Sequence, residues 1–156
     1  MSGSNMKLFK ARDLDDIDAR ITHWMKHHGI QLLRISVGIV FVWFGFLKII
    51  GFSPAAELVA RTVFWFDPGW FVPFLGLWEV VIGICFIFRP LVRVGIFLLF
   101  PQMAGTFLPL FLLPSITFQG SYFLPTLEGQ YIIKNLVIIS AAIVIGSHVR
   151  DPKPDG

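Results

Sequence analysis

Three apolar stretches of the chain carry polar residues that could do chemistry inside a membrane. Lys48 stands near the end of the first stretch and Glu79 lies within the second. Lys134 and Asn135 occupy the second turn of the last stretch, 131–146. Charge inside a membrane is costly, so it usually has a partner and often a function. The two ammonium groups could hold an anion or a carbonyl group, with Glu79 as their counter-charge or as a proton carrier.

Membrane-spanning helices must position these residues, because the composition is that of a membrane protein. The 156 residues are 55% hydrophobic and 15% charged, whereas soluble domains are about 45–50% apolar and about 25% charged. The apolar residues come in long runs, and the length allows one compact bundle without a second soluble domain. The net charge of +3 comes from basic residues near the ends of these runs. That pattern fits orientation in a bilayer and not nucleic-acid binding.

The hydropathy pattern predicts an all-α integral membrane protein built as a four-helix transmembrane bundle over residues 30–148. The spans are expected at about 30–50, 71–88, 94–113 and 131–147. Residues 1–29 are expected to form a cytoplasmic segment with an amphipathic helix on the membrane surface. Residues 149–156 read as a disordered cytoplasmic tail. A short interfacial helix is expected at 54–66 between the first two spans, since this segment is too short to cross a membrane.

Small residues share a helical face with a charge on each of the first two spans, which predicts that another helix packs closely against each of these faces. The two faces are formed by Gly38, Gly45 and Lys48, and by Gly76, Glu79 and Gly83. Lys48 could point into the bundle or extend to the headgroups. Trp43 lies too deep for an interfacial belt and is expected to pack inward beside the pocket. Gln102 lies on a face of the third span that could supply polar contacts.

Histidine and cysteine residues offer little support for a metal site. His23 and His27 are four residues apart and could share a metal, and His28 and His148 come near each other if the first and last spans are neighbours. No carboxylate or cysteine stands at a matching spacing, so we expect solvated histidines and predict no metal site. Cys85 is the only cysteine and cannot form an intrachain disulfide.

The distribution of basic residues predicts the orientation in the membrane. Of the 13 Lys and Arg residues, all but Lys48, Arg61 and Lys134 fall on the side of the termini, which places both termini in the cytoplasm. The polar residues then lie in the outer half of the membrane: Lys48, Glu57, Glu79, Glu128, Lys134 and Asn135. This predicts a polar pocket that opens outward beneath the 54–66 segment. The alternative is a salt-bridge network that only fixes the bundle.

Three segments resemble the DoxX-like superfamily of small four-span membrane proteins, with the closest similarity to its YkgB-type branch. They are RISVGIVFVWFGFLKI at 34–49, GLWEVVIGI at 76–84 and PTLEGQYIIKNLVIISAA at 125–142. The positions that match the family pattern are Arg34, Phe44, Gly45, Lys48, Glu79, Lys134 and Asn135. The resemblance implies a bacterial or archaeal inner-membrane protein. Some members are membrane subunits of thiosulfate:quinone oxidoreductases, and others are associated with oxidative-stress resistance.

Three functions are compatible with the sequence. The first is a membrane subunit of a redox or oxidative-stress system, with a pocket for a quinone or a small anionic or sulfur-containing ligand; no other cofactor is indicated. The second is a non-catalytic structural or assembly subunit, in which internal pairs close the polar cluster. The third is a small-solute or proton transporter, against which stand the few spans and the lack of a repeat. The expected partners are the lipid bilayer and other membrane subunits or further copies of the chain.

Overall fold

The computed structural model describes the backbone of residues 3–149 and the side chains of residues 15–149. Within this part of the chain there is no β-strand, and only an isolated antiparallel bridge joins Phe118 to Pro125. Four helical segments are long and apolar enough to cross a membrane. The predicted all-α four-helix membrane protein is therefore confirmed.

The helices follow the predicted order, with some differences at their ends. They are α1 (Gly3–Ile49), α2 (Ala56–Thr62), α3 (Pro68–Ile87), α4 (Val92–Leu112), α5 (Pro114–Thr117), α6 (Leu127–Ile133) and α7 (Asn135–Ser147). A turn at Lys134 separates α6 from α7, and together they form the last span. That span begins earlier than predicted because the Thr126 hydroxyl accepts a hydrogen bond from the Gly129 amide at 3.2 Å and so caps α6.

The four spans form a closed ring in which α1 packs on α3, α3 on α4, α4 on α7, and α7 on α1. Short α2 lies against α3 and α4. We call the end of the bundle that carries α2, α5 and the start of α6 the loop end. The opposite end, where α3 finishes and α4 begins, is the terminal end. The core between the helices is formed by Phe41, Ile82, Phe86, Val92, Leu99, Met103, Ala142 and Ile145.

The closest helix contact is between α1 and α3, where four glycines bring backbone against backbone. A Cβ atom on Gly45 would lie 2.5 Å from the Gly76 carbonyl oxygen, and one on Gly83 would lie 2.5 Å from the Gly38 carbonyl oxygen. Real Cβ atoms do not approach so closely, so only glycine fits at these positions. The two small-residue faces therefore contact each other.

The N-terminal segment differs from the prediction. α1 runs without a break from Gly3 to Ile49, so the amphipathic segment is an extension of the first span and not a separate helix lying on the membrane surface. Each backbone amide of a helix donates to the carbonyl four residues before it. The helix continues in this way from residue 15 to residue 49 without a break. Of the predicted disordered tail, residues 150–156 lie outside the described residues.

Candidate functional site

Three polar side chains from three helices meet inside the bundle. Lys48 on α1 donates a hydrogen bond to Glu79 Oε2 on α3 at 2.5 Å. Gln102 on α4 donates to Glu79 Oε1 at 2.8 Å. All three residues are at most 8% exposed. We call them the Lys48–Glu79–Gln102 triad.

The glycine contact between α1 and α3 explains why Lys48 reaches Glu79. A Cβ atom on Gly76 would lie 2.8 Å from Lys48 Cβ, and one on Gly45 would lie 3.0 Å from Glu79 Cβ. The two charged residues thus flank the point of closest backbone approach. Side chains of a helix lean toward its N-terminus, which carries the Lys48 ammonium from the end of α1 into the bundle.

Two members of the triad lie about midway along their helices. α3 begins at Pro68 and not near residue 71, because the Asp67 side chain accepts a hydrogen bond from the Gly69 amide at 2.8 Å and caps the helix. Glu79 therefore stands near the middle of the 20-residue α3, and Gln102 stands near the middle of α4. A helix of about 20 residues spans about 30 Å, the thickness of the hydrocarbon layer. Glu79 and Gln102 thus stand about halfway along helices that are long enough to cross the hydrocarbon layer.

Both oxygens of the Glu79 carboxylate accept hydrogen bonds within the triad. Each Glu79 oxygen accepts from one neighbour. Among the described residues, every buried side-chain nitrogen or oxygen has a hydrogen-bond partner. Removing a charge from water costs several kcal/mol per ion, and the pair offsets this only when geometry and hydrogen bonding are good. The arrangement meets that condition, so it is a closed ion pair supported by an amide.

The other residues of the predicted pocket do not join the triad. Lys134 is exposed, and its ammonium lies 4.9 Å from the centre of the Tyr131 ring. Glu57 is exposed and pairs with Arg61 on the surface of α2 at 2.5 Å. Glu128 is exposed and Asn135 is half-buried. The expected convergence of these groups with Lys48 and Glu79 is not found in the described contacts.

Trp43 was expected to pack inward, and this expectation was wrong. Its side chain is 62% exposed, whereas Phe41 two residues earlier is buried in the core. Neighbouring positions on a helix point in different directions, about 100° apart per residue. Trp43 lies on the side of α1 that faces away from the bundle.

Two polar contacts at the sites of helix packing were not predicted. Arg34 donates to the carbonyl oxygens of Phe86 at 2.7 Å and Ile87 at 2.5 Å. These carbonyls belong to the last turn of α3, which lacks partners within its own helix and carries partial negative charge. Trp78 Nε1 donates to the Leu98 carbonyl oxygen of α4 at 3.2 Å. Only the position of Arg34 at the start of the first span could have indicated its role.

The histidines of the N-terminal segment stand close together on α1. The ring centres of His23 and His27 are 6.4 Å apart, and those of His27 and His28 are 5.0 Å apart. Across residues 15–149, no three His, Cys, Asp or Glu side chains are grouped so that they could hold a metal ion. His148 lies at the other end of the chain, with Nδ1 2.9 Å from the Val144 carbonyl oxygen.

No protein-family model, curated protein or solved structure matches the chain. The fold and the triad are therefore the basis for inferring function, and the resemblance to the DoxX-like superfamily remains a prediction from the sequence.

Proposed function

We propose that the chain is a non-catalytic integral membrane subunit that helps to assemble a larger membrane complex. The observation that carries this proposal is the closed state of the Lys48–Glu79–Gln102 triad. The ammonium and the amide donate to the carboxylate at 2.5 Å and 2.8 Å. The most polar group of residues in the membrane is thereby used to hold α1, α3 and α4 together.

A ligand that took the place of Lys48 beside Glu79 would have to break their ion pair. Lys48, Glu79 and Gln102 are each at least nine-tenths buried. Breaking a buried ion pair costs about 3–5 kcal/mol, which would be subtracted from the affinity of any ligand. A protein with such an interior acts through its surface, which favours a binding subunit over an enzyme or a transporter.

A second candidate is the redox or stress-response subunit with a quinone pocket, which one observation favours. A lysine ammonium has three N–H donors, and the described contacts of Lys48 use one of them, to Glu79. A quinone carbonyl oxygen could accept one of the others without removing the carboxylate. The resemblance to the DoxX-like superfamily also implies a quinone-linked role for some members.

Native mass spectrometry of the protein, extracted gently from its own membranes, separates these functions. The assembly subunit predicts a chain that carries another protein subunit and no small ligand. The quinone subunit predicts a co-purifying small molecule that is lost on Glu79→Gln and kept on Glu57→Gln. The second variant is the matched control, because Glu57 forms an ion pair of the same length on the exposed surface of α2. A chain with neither a partner protein nor a ligand would overturn both functions.

A further inference from the structure

One side of α1 carries large apolar side chains along most of its described length. Each of them is between 49% and 62% exposed. They are Ile17, Ile21, Trp24, Met25, Leu32, Ile39, Trp43 and Phe46. We call this set the α1 outer stripe.

The α1 outer stripe lies on one face of the helix, where His28 is the polar residue between Met25 and Leu32. At about 100° per residue its members fall within an arc of about 100° around the helix. Phe41, Gly45 and Lys48, which face the bundle, fall on the opposite side. Successive members are spaced by three, four or seven residues, apart from the adjacent Trp24 and Met25, and this pattern is typical of a seam between two helices lying side by side.

Lipid can cover only part of the stripe. Arg34 binds the carbonyls at the end of α3, and α3 is about as long as the hydrocarbon layer is thick. The membrane boundary therefore lies near Arg34, so Ile21 stands about 20 Å and Ile17 about 25 Å beyond it along α1. The headgroup layer adds only about 5–8 Å, and an average tilt of about 20° shortens these distances little. Ile17, Ile21 and Trp24 thus lie in water unless protein covers them.

We infer that a second copy of the chain covers the α1 outer stripe, with the two α1 helices parallel and a two-fold axis along the membrane normal. A partner must continue from the membrane into water along the same line, and a second copy does so because its stripe has the same height and direction. A two-fold contact is self-complementary when each copy presents the same face. This inference goes beyond the proposed function, which requires a different protein as partner.

The size of the stripe is sufficient for such a dimer. From Ile17 to Phe46 the stripe is about 44 Å long at 1.5 Å per residue, and a helix face is about 10 Å wide. The two faces together amount to about 900 Å², measured as a flat footprint. Accessible surface exceeds a flat footprint, so the buried area reaches about the 1,000 Å² that a specific interface requires.

Cysteine cross-linking of the full chain in its native membrane tests the position of the second copy. Ile21→Cys lies on the stripe, and His23→Cys lies on the opposite side of the same turn as a matched control; both positions are exposed. We expect a bismaleimide to convert Ile21→Cys into a product of twice the 17.7 kDa chain, and to leave His23→Cys as a single chain. Native Cys85 is buried and gives the background. Equal cross-linking of the two variants, or a product of Ile21→Cys with any other mass, would overturn the inference.

A second measurement tests whether a substitution on the stripe separates the two copies while each copy stays folded. Ile21→Asp should shift the native mass from two copies to one and leave the helical circular dichroism unchanged, while His23→Asp should leave both unchanged. A wild-type chain that is monomeric in gentle extraction would contradict the inference. A dimer without any other subunit would support it and overturn the assembly function, and one copy bound to a different protein would do the reverse.

Discussion

The buried Lys48–Glu79 pair leads to a prediction about stability, and the exposed Glu57–Arg61 pair serves as its control. Replacing Lys48 by Met leaves the Glu79 carboxylate in the membrane with one hydrogen bond from Gln102. Replacing Glu79 by Gln leaves the Lys48 ammonium without a counter-charge. Replacing both removes the two charges together, so the double variant should be much more stable than the two single variants lead one to expect.

The magnitude follows from the distance and the burial. Two unit charges 2.5 Å apart attract by about 7 kcal/mol at an effective dielectric constant of about 20. Desolvation of both ions offsets most of this attraction, so the pair as a whole is close to neutral for stability. Each single variant retains one desolvated ion and should lose about 3–5 kcal/mol. The double variant should lose about 1 kcal/mol or less, which gives a coupling energy of about 5 kcal/mol or more.

The free energy of unfolding in mixed detergent micelles, followed by circular dichroism, gives these values for the four members of the cycle. The control cycle uses Glu57→Gln and Arg61→Met, whose side chains are 74% and 57% exposed. Their ion pair has the same length, and its coupling energy should be below about 1 kcal/mol because water screens it. Additive losses in the buried cycle, or equal coupling in the two cycles, would refute this account of the triad.

Three further predictions concern individual glycines and side chains whose contacts are described above. Gly83→Ala should destabilise the fold by about 1–3 kcal/mol, since its Cβ would meet the backbone of α1, whereas Gly105→Ala has open space and should stabilise it by about 0.5–1 kcal/mol; thermal unfolding measures both. Arg34→Met should lose about 1.5–3 kcal/mol with its two bonds to α3, and exposed Arg93→Met should lose less than about 0.5 kcal/mol. Lys134→Met should leave the infrared carboxyl band of Glu79 unchanged, because Lys134 contacts Tyr131 instead.

The sequence predicted the fold and the central ion pair because both depend on regular helical spacing. Glycines seven residues apart define one face of a helix, and a charge on that face must then meet the neighbouring helix. In the structure the face of Gly45 meets that of Gly76, with Lys48 and Glu79 beside them. Long apolar runs likewise fixed the number of spans.

The sequence could not decide whether Lys134 joins Glu79, because depth along a span does not specify direction around the helix. Lys134 was expected to join Glu79, but Ala141, Ala142 and Ile145 form the buried side of the last span. The helix also breaks at Lys134, and the ammonium lies outside beside Tyr131. Gln102 was placed on a polar face, but its bond to Glu79 depends on how α4 lies against α3. That relation between two helices is a tertiary property which the pattern of one span does not contain.

The glycine contact between α1 and α3 also bears on how the chain enters the membrane. Lys48 and Glu79 belong to consecutive spans, so both are synthesised before α4 supplies Gln102. A single charge at the centre of a span costs about 2.5–3.5 kcal/mol during insertion. In a chain that ends at Leu91 and has been released from the ribosome, we expect Lys48→Met to reduce protease protection of the α3 segment, because Glu79 would enter alone. Insertion of the first two spans as one hairpin would neutralise both charges on arrival, and the glycine contact would then serve biogenesis as well as the finished fold.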